Sequence, residues 1–270
     1  MIKELAKKWY IDLGFEDKFD VLFDKILERE DIAEALLDKT CAELEEIGDR
    51  EACLIYALSK CEELEKKYSE AGISNEIFMA TISDIKVWTL DYYDRTNIFG
   101  LDQVMWIERH LDFTIFKLGR LQFEFSPSLV DCPEKNLKKG DNTLGIHITR
   151  NEPFTPEKWE ESFKMAKEFF EKYFPWYEYK YFSCSSWLLS PDLDIILDES
   201  SNILKFKKLF DIISVNENDI MLYFVFGWGT KIEDIEKIEV KTSLQRKVKE
   251  YVLSGNKLHS SYGIIDKEGA

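Results

Sequence analysis

The chain has no long apolar run. None of its segments approaches the about 20 apolar residues that a membrane-spanning helix needs. The opening residues carry Lys3, Glu4, Lys7, Lys8 and Asp12, so they lack the apolar stretch of a secretory signal. Cysteine is sparse: Cys41, Cys53, Cys61, Cys132 and Cys184 make an odd set of five with no CxxC pair. That argues against a zinc site and against a disulfide framework, and no metal is expected. Scattered thiols of this kind fit buried, reduced cysteines in a cytoplasmic protein. Positive charge is in deficit, with 36 Lys and Arg against 52 Asp and Glu, a net charge of −16. A chain this acidic repels a phosphate backbone and an anionic lipid surface, so neither nucleic acid nor membrane is expected as a partner. Six prolines and 12 glycines in 270 residues leave no room for a low-complexity tract.

What is present suits a folded protein of two modest domains or one large one. Hydrophobic residues make up 45% and aromatic residues 14%, enough for a substantial core. Up to residue 112 the apolar spacing is helical. Phe15, Phe19, Leu22, Phe23 and Ile26 form one stripe, and Leu54, Ala57, Leu58, Cys61 and Leu64 another. Ser74 is placed to cap a helix carrying Ile77, Ile85 and Trp88, and a further helix is expected over 101–111.

The period changes at Phe113. Leu121, Gln122, Phe123, Glu124 and Phe125 alternate strictly, which predicts a strand, and Thr114 to Leu118 reads as another, with Gly119 between them. A loop with Pro127, Pro133 and Gly140 leads to a strand over 143–149. There Leu144, Ile146 and Ile148 face one way, and Gly145, His147 and Thr149 the other. Thr155 and Pro156 open a helix whose apolar face is Trp159, Phe163, Ala166, Phe170 and Tyr173. A strand is expected over 179–189 and a helix over 202–210. The apolar run 220–226 suits a buried strand, 243–253 a helix, and 262–265 a last strand. This strand–helix alternation implies an α/β sheet with some parallel pairing. The expected division is a helical domain, 1–112, and an α/β domain, 113–270.

Three stretches carry a family resemblance. They are Gly119, Arg120, Leu121, Gln122, Phe123 and Glu124; then Gly145, Ile146, His147 and Ile148 with the helix after them; then the run from Cys184 through Ser185, Ser186, Trp187, Leu188, Leu189 and Ser190 to Pro191, continuing through Ser201 to Phe206. Together they resemble a bacterial family of acyltransferase-domain proteins. Its members pair a helical N-terminal domain with a GNAT-like mixed-sheet C-terminal domain. The resemblance implies a GNAT fold, use of acyl-CoA and a small-molecule acceptor.

In GNAT enzymes a strand leads into a helix whose unpaired N-terminal amides receive the cofactor diphosphate. The matching element here is strand 143–149 feeding helix 155–174. Ile148, Arg150, Thr155, Lys158 and Asn202 are the cofactor-binding candidates. The usual glycine-rich loop is missing. Arg150, Asn151, Glu152, Pro153, Phe154, Thr155, Pro156 and Glu157 stand in its place. Pro153 and Pro156 each remove a donor, and Glu152 and Glu157 add negative charge.

Four residues are candidates for the chemistry. His147 has a side chain suited to general-base work, and otherwise reads as a core histidine with one hydrogen bond. Glu124 shares a strand face with Arg120 and Gln122; it is a second candidate base, or half of a structural Arg–Glu pair. Cys184 and Ser185 lie near a strand end, where a nucleophile within reach of His147 would sit; otherwise they are packing and turn residues. His110 and His259 show no partner in the sequence. Two functional readings stay open: acyl transfer from acyl-CoA to a small amine or hydroxyl, or a GNAT-like binding or regulatory module that has lost CoA binding.

Overall fold

A computed structural model describes residues 1–32, 36, 39–150 and 152–270. Asn151 of the anticipated phosphate-side loop lies outside the described residues. The chain forms two compact units, Met1–Leu118 and Gly119–Ala270.

The first unit holds α1 (Ile2–Asp12), α2 (Asp20–Glu28), α3 (Cys41–Ile47), α4 (Arg50–Glu70), α5 (Asn75–Thr96) and α6 (Val104–Leu111), and it closes on strand β1 (Ile115–Leu118). Local chemistry sets the helix starts. Thr40 and Glu43 form a reciprocal capping box on α3, and Asp49 accepts the Ala52 N–H at 3.0 Å to start α4. Ser74 caps α5 as expected, accepting the Ile77 N–H at 3.5 Å. The core is aromatic: Trp9 meets Phe78 edge-on at 5.3 Å, and Tyr10 stacks on Phe23 at 4.0 Å.

The second unit is a mixed sheet with helices. Its strands are β2 (Leu121–Pro127), β3 (Asn142–Ile148), β4 (Tyr181–Ser186), β5 (Asp211–Glu217) and β6 (His259–Asp266). They lie side by side in the order β2-β3-β4-β6-β5. Only β3 and β4 are parallel; β2–β3, β4–β6 and β5–β6 are antiparallel. The helices are α7 (Pro156–Tyr173), α8 (Leu193–Ile196), α9 (Asn202–Lys207), α10 (Ile220–Phe226) and α11 (Ser243–Leu253).

The anticipated alternation on β2 and β3 holds. Leu121, Phe123 and Phe125 pair with Ile148, Ile146 and Leu144. Their shared face packs on α7 through Phe123–Phe163 at 6.2 Å and Phe125–Phe170 at 5.3 Å, and Phe182 of β4 joins at 5.1 Å from Phe163. Each fully buried phenylalanine of this layer contributes about 2–3 kcal/mol. Gly119 turns the chain into β2 at φ +68, and a Cβ there would sit 2.8 Å from Ser162 Oγ. That hydroxyl accepts the Arg120 and Leu121 N–H groups, tying the start of β2 to α7.

Three expectations about elements are corrected. The run 220–226 is helix α10, not a strand. Asn218 Oδ1 accepts the Ile220 N–H at 3.2 Å and starts it, and Met221 and Leu222 bury against α8, α9 and α11. Strand β5 falls where none was expected. Its Ile212 and Val215 are half-exposed among Asp211, Ser214, Asn216 and Glu217, so no clean alternation marks it. The strand expected over 179–189 stops at Ser186, whose hydroxyl accepts the Leu188 N–H and turns the chain into a 3-10 segment.

Candidate functional site

The parallel pair at the sheet centre shares only a short ladder. Its ladder consists of Leu144↔Phe182 and Gly145↔Ser183, and Thr143 Oγ1 and Ser183 Oγ close that end with a 2.7 Å hydrogen bond. Beyond it each strand follows its outer neighbour. β3 stays on β2 as far as Leu121↔Ile148, and β4 stays on β6 as far as Ser186↔Ser261. Residues 146–148 and 184–186 therefore lie beyond the β3–β4 ladder, each held by its outer neighbour.

On the β3 side stands a carboxylate–imidazole pair. His147 stands opposite Gln122, and Glu124 is the diagonal neighbour on the same face, turned away from α7. His147 Nε2 lies 2.9 Å from Glu124 Oε2. Glu124 is buried and His147 is about a quarter exposed (28%), so the pair keeps one open side. Glu124 does not serve Arg120 as the sequence suggested.

On the other side is β4. Ser185 is exposed on the same face as His147. Cys184 points the opposite way, is buried, and has its thiol pushed up to about 12 by desolvation. A thiol held protonated in an apolar layer is a poor nucleophile, so the expectation for Cys184 is corrected.

Arg120 organises the loop after β3. Its guanidinium is buried and donates from Nη1 to Thr149 Oγ1 at 2.7 Å, from Nη2 to the carbonyls of Thr149 at 2.9 Å and Glu152 at 3.2 Å, and from Nε to the Pro153 carbonyl at 3.0 Å. Phe154 lies 5.2 Å below the same group. Asn202, a cofactor-binding candidate in the sequence, donates Nδ2 to the Phe154 carbonyl at 2.9 Å, while Ser201 caps α9. The loop is thus clamped from both flanks.

The start of α7 carries the obstacles named from the sequence, Pro156 and Glu157. Pro156 has no N–H, and the Lys158 and Trp159 N–H groups turn back to the Thr155 carbonyl at 3.1 and 3.3 Å. The Glu157 carboxylate takes its own backbone N–H and the Thr155 hydroxyl, which together hold it below the usual carboxylate range. An incoming diphosphate would meet that carboxylate first. One cation does lie close: Lys205 is near Glu157 and reaches Asn202 Oδ1 at 3.4 Å, while Arg150 sits 5.8 Å from the Phe224 ring.

Two histidine pairs escaped the sequence reading, because their partners are distant or unpatterned. His259 Nδ1 lies 2.9 Å from Asp192 Oδ1, 67 residues away. In the helical unit, buried His110 has Nδ1 at 3.1 Å from the Trp106 carbonyl and Nε2 at 3.4 Å from Asp84. Among the described residues no three His, Cys, Asp or Glu gather as a metal-ligand set, and no helix is long and apolar enough to cross a membrane.

A mixed sheet with one short central parallel pair, whose strand β3 leads through a clamped loop into helix α7, is the frame of a GNAT-type domain. The chain belongs to the family described as GNAT-like C-terminal domain, which it matches over residues 115–265, and it matches the N-acyltransferase N-terminal domain over residues 15–113. Solved structures share the whole architecture. An acyltransferase in complex with decanoyl-CoA is 21% identical with a TM-score of 0.78, covering 97% of this chain and 87% of that one. An acyltransferase with decanoyl-CoA and teicoplanin is 20% identical with a TM-score of 0.70, covering 97% and 99%. A mutant acyltransferase with octanoyl-CoA is 20% identical with a TM-score of 0.71, covering 98% and 99%. Comparison with curated proteins gave no match.

Proposed function

We propose that this chain transfers an acyl group from an acyl-CoA to an amine or hydroxyl of a small-molecule acceptor. The observation that carries the reading is the His147–Glu124 pair beside the end of the short β3–β4 ladder. The family and the acyl-CoA complexes of similar fold support it.

In this reading the thioester arm lies between β3 and β4 past their ladder, along the backbone edge near Ile148. The diphosphate is met by side-chain cations, Arg150, Lys158 and Lys205, more than by helix amides, because Glu157 and Pro156 occupy the start of α7. Thr155 and Asn202 shape this loop. Glu124 orients the imidazole, and His147 takes the proton from the acceptor as it attacks the thioester carbonyl. Ser185, on β4, is a hydrogen-bonding group for the acceptor. The chain divides near residue 112 into helical and transferase domains and works in the cytoplasm.

The test pairs binding with turnover. Millimolar decanoyl-CoA is expected to raise the melting temperature, and thiol release from it is expected to depend on an acceptor drawn from ethanolamine, glucosamine or glycerol. No stabilisation by acyl-CoAs of any chain length, together with no acceptor-dependent thiol release, overturns the reading and favours a non-catalytic module.

A further inference from the structure

Aromatic side chains gather where the chain leaves the parallel pair. Trp187 directly follows the end of β4 at Ser186, and Arg150 lies just past the end of β3 at Ile148. Phe224 of α10 neighbours both. Its ring lies 6.3 Å from that of Trp187, nearly parallel at 19°, and the Arg150 guanidinium sits 5.8 Å from its centre. Trp228 flanks the Phe224 ring at 5.9 Å and stacks on Tyr223 at 5.4 Å. Contact therefore ties this patch to the ends of the two strands between which the donor is placed.

Local chemistry builds the patch. Met221 and Leu222 are buried and anchor α10 from within. The Gln245 side chain donates Nε2 to the Val225 carbonyl at 2.9 Å and holds the end of the same helix. Gly227 then takes a positive φ of 116, which favours glycine, and Trp228 folds back on Tyr223 and Phe224. Phe224 stays 36% exposed, while Trp187, Tyr223 and Trp228 are half-buried. Rings fixed by packing yet part-open keep apolar area that a flat ligand can cover.

We infer that this patch holds the adenine base of the acyl-CoA donor, with Arg150 on the phosphates joined to it. A base stacks on aromatic side chains through its π-face, whatever hydrogen bonds it makes. The guanidinium beside the Phe224 ring favours the nucleotide over the acyl chain, because it matches phosphate and nothing in a hydrocarbon. In a chain of net charge −16 a cation at that rim is the local complement to an anion. Part-open rings suit a base covered on one face, whereas a fatty chain needs an enclosed apolar channel. Arg150 also begins the loop that leads to the start of α7, the diphosphate side in the reading above. The inference rests on that transferase reading and adds the nucleotide subsite to it.

The test compares donors with and without the nucleotide. Phe224→Ala removes a part-exposed ring and is expected to fold with an unchanged circular dichroism spectrum. In titration calorimetry it is expected to bind decanoyl-CoA about tenfold more weakly than the parent, and Arg150→Gln about fivefold more weakly. For decanoyl-4′-phosphopantetheine, the same thioester without the adenosine, Phe224→Ala is expected to match the parent within about twofold. Adenosine 3′,5′-bisphosphate alone is expected to compete with decanoyl-CoA and to quench tryptophan fluorescence, with the quench reduced in Trp187→Phe. Equal weakening on both thioesters, no weakening on either, or no competition by the bisphosphate overturns the inference and leaves the transferase reading standing. So does a Phe224→Ala variant that changes preference between octanoyl-CoA and decanoyl-CoA while binding CoA as the parent does, since the patch then serves the acyl chain. A parent protein that binds neither decanoyl-CoA nor CoA removes both.

Discussion

Glu124 Oε2 lies 2.9 Å from His147 Nε2 across the diagonal of the β2–β3 ladder. Glu124 is buried and His147 is partly open, so the carboxylate acts through the ring. Glu124→Gln keeps the shape and replaces the carboxylate that orients the imidazole. The expected result is a fall in kcat of about 10–100-fold with KM for decanoyl-CoA little changed. A steady-state split between kcat and KM checks it.

Arg120 should behave as a clamp that only a planar fork can make. Its bonds run to Thr149, Glu152 and Pro153, and a lysine presents one point charge in place of that geometry. Arg120→Lys is expected to cost about 2–3 kcal/mol in denaturant unfolding, to speed amide exchange over 149–155, and to raise KM for acyl-CoA about tenfold. Unchanged exchange in that loop contradicts the assignment.

Glu157 should compete with the cofactor. It is fully exposed, and its carboxylate holds the first amide of α7. Glu157→Gln removes an anion from the place where a diphosphate arrives. Titration calorimetry with decanoyl-CoA is expected to show binding about three- to tenfold tighter. Weaker binding would mean that the diphosphate lies elsewhere.

Alkali should unfold the chain early. Burial pushes the thiols of Cys41 and Cys184 up to about 12 and that of Cys53 up to about 11. A thiol whose folded value is raised binds more protons folded than unfolded, so its stabilising effect is complete below the ordinary thiol range and is lost as pH rises toward the folded value. The melting temperature is therefore expected to fall between about pH 9 and 11. Cys184→Ala, which removes one such thiol, is expected to soften that fall and to leave kcat within threefold. A large kcat loss would restore Cys184 as a reacting group.

Much of this was written in the sequence wherever one face of an element is buried. Leu121, Phe123 and Phe125 alternate against Gln122 and Glu124 because one side packs on α7 and the other does not; the alternation sets Glu124 and His147 each on the polar side of its own strand, and the β2–β3 register brings the two together. The stretch 220–226 has seven apolar residues in a row, so it has no period to read and is short enough for strand or helix; the Asn218 side chain decides it. β5 is half-exposed along its length and mixes polar and apolar residues without order. Asp192 and His259 meet only because α8 and β6 do, and no local pattern signals a contact across 67 residues. At the start of α7 the residue types were legible and their contacts were not. A Thr-Pro-Glu opening reads as a cap, and only the coordinates show the Glu157 carboxylate folded back over its own amide.

The central claim is that an acyl-CoA enters between β3 and β4 past their short ladder. Hydrogen exchange measured with and without decanoyl-CoA tests it most directly. The account predicts added protection at 146–150 and 185–190, with little change over β5. Protection confined to the helical unit, or none anywhere at saturating ligand, would contradict it.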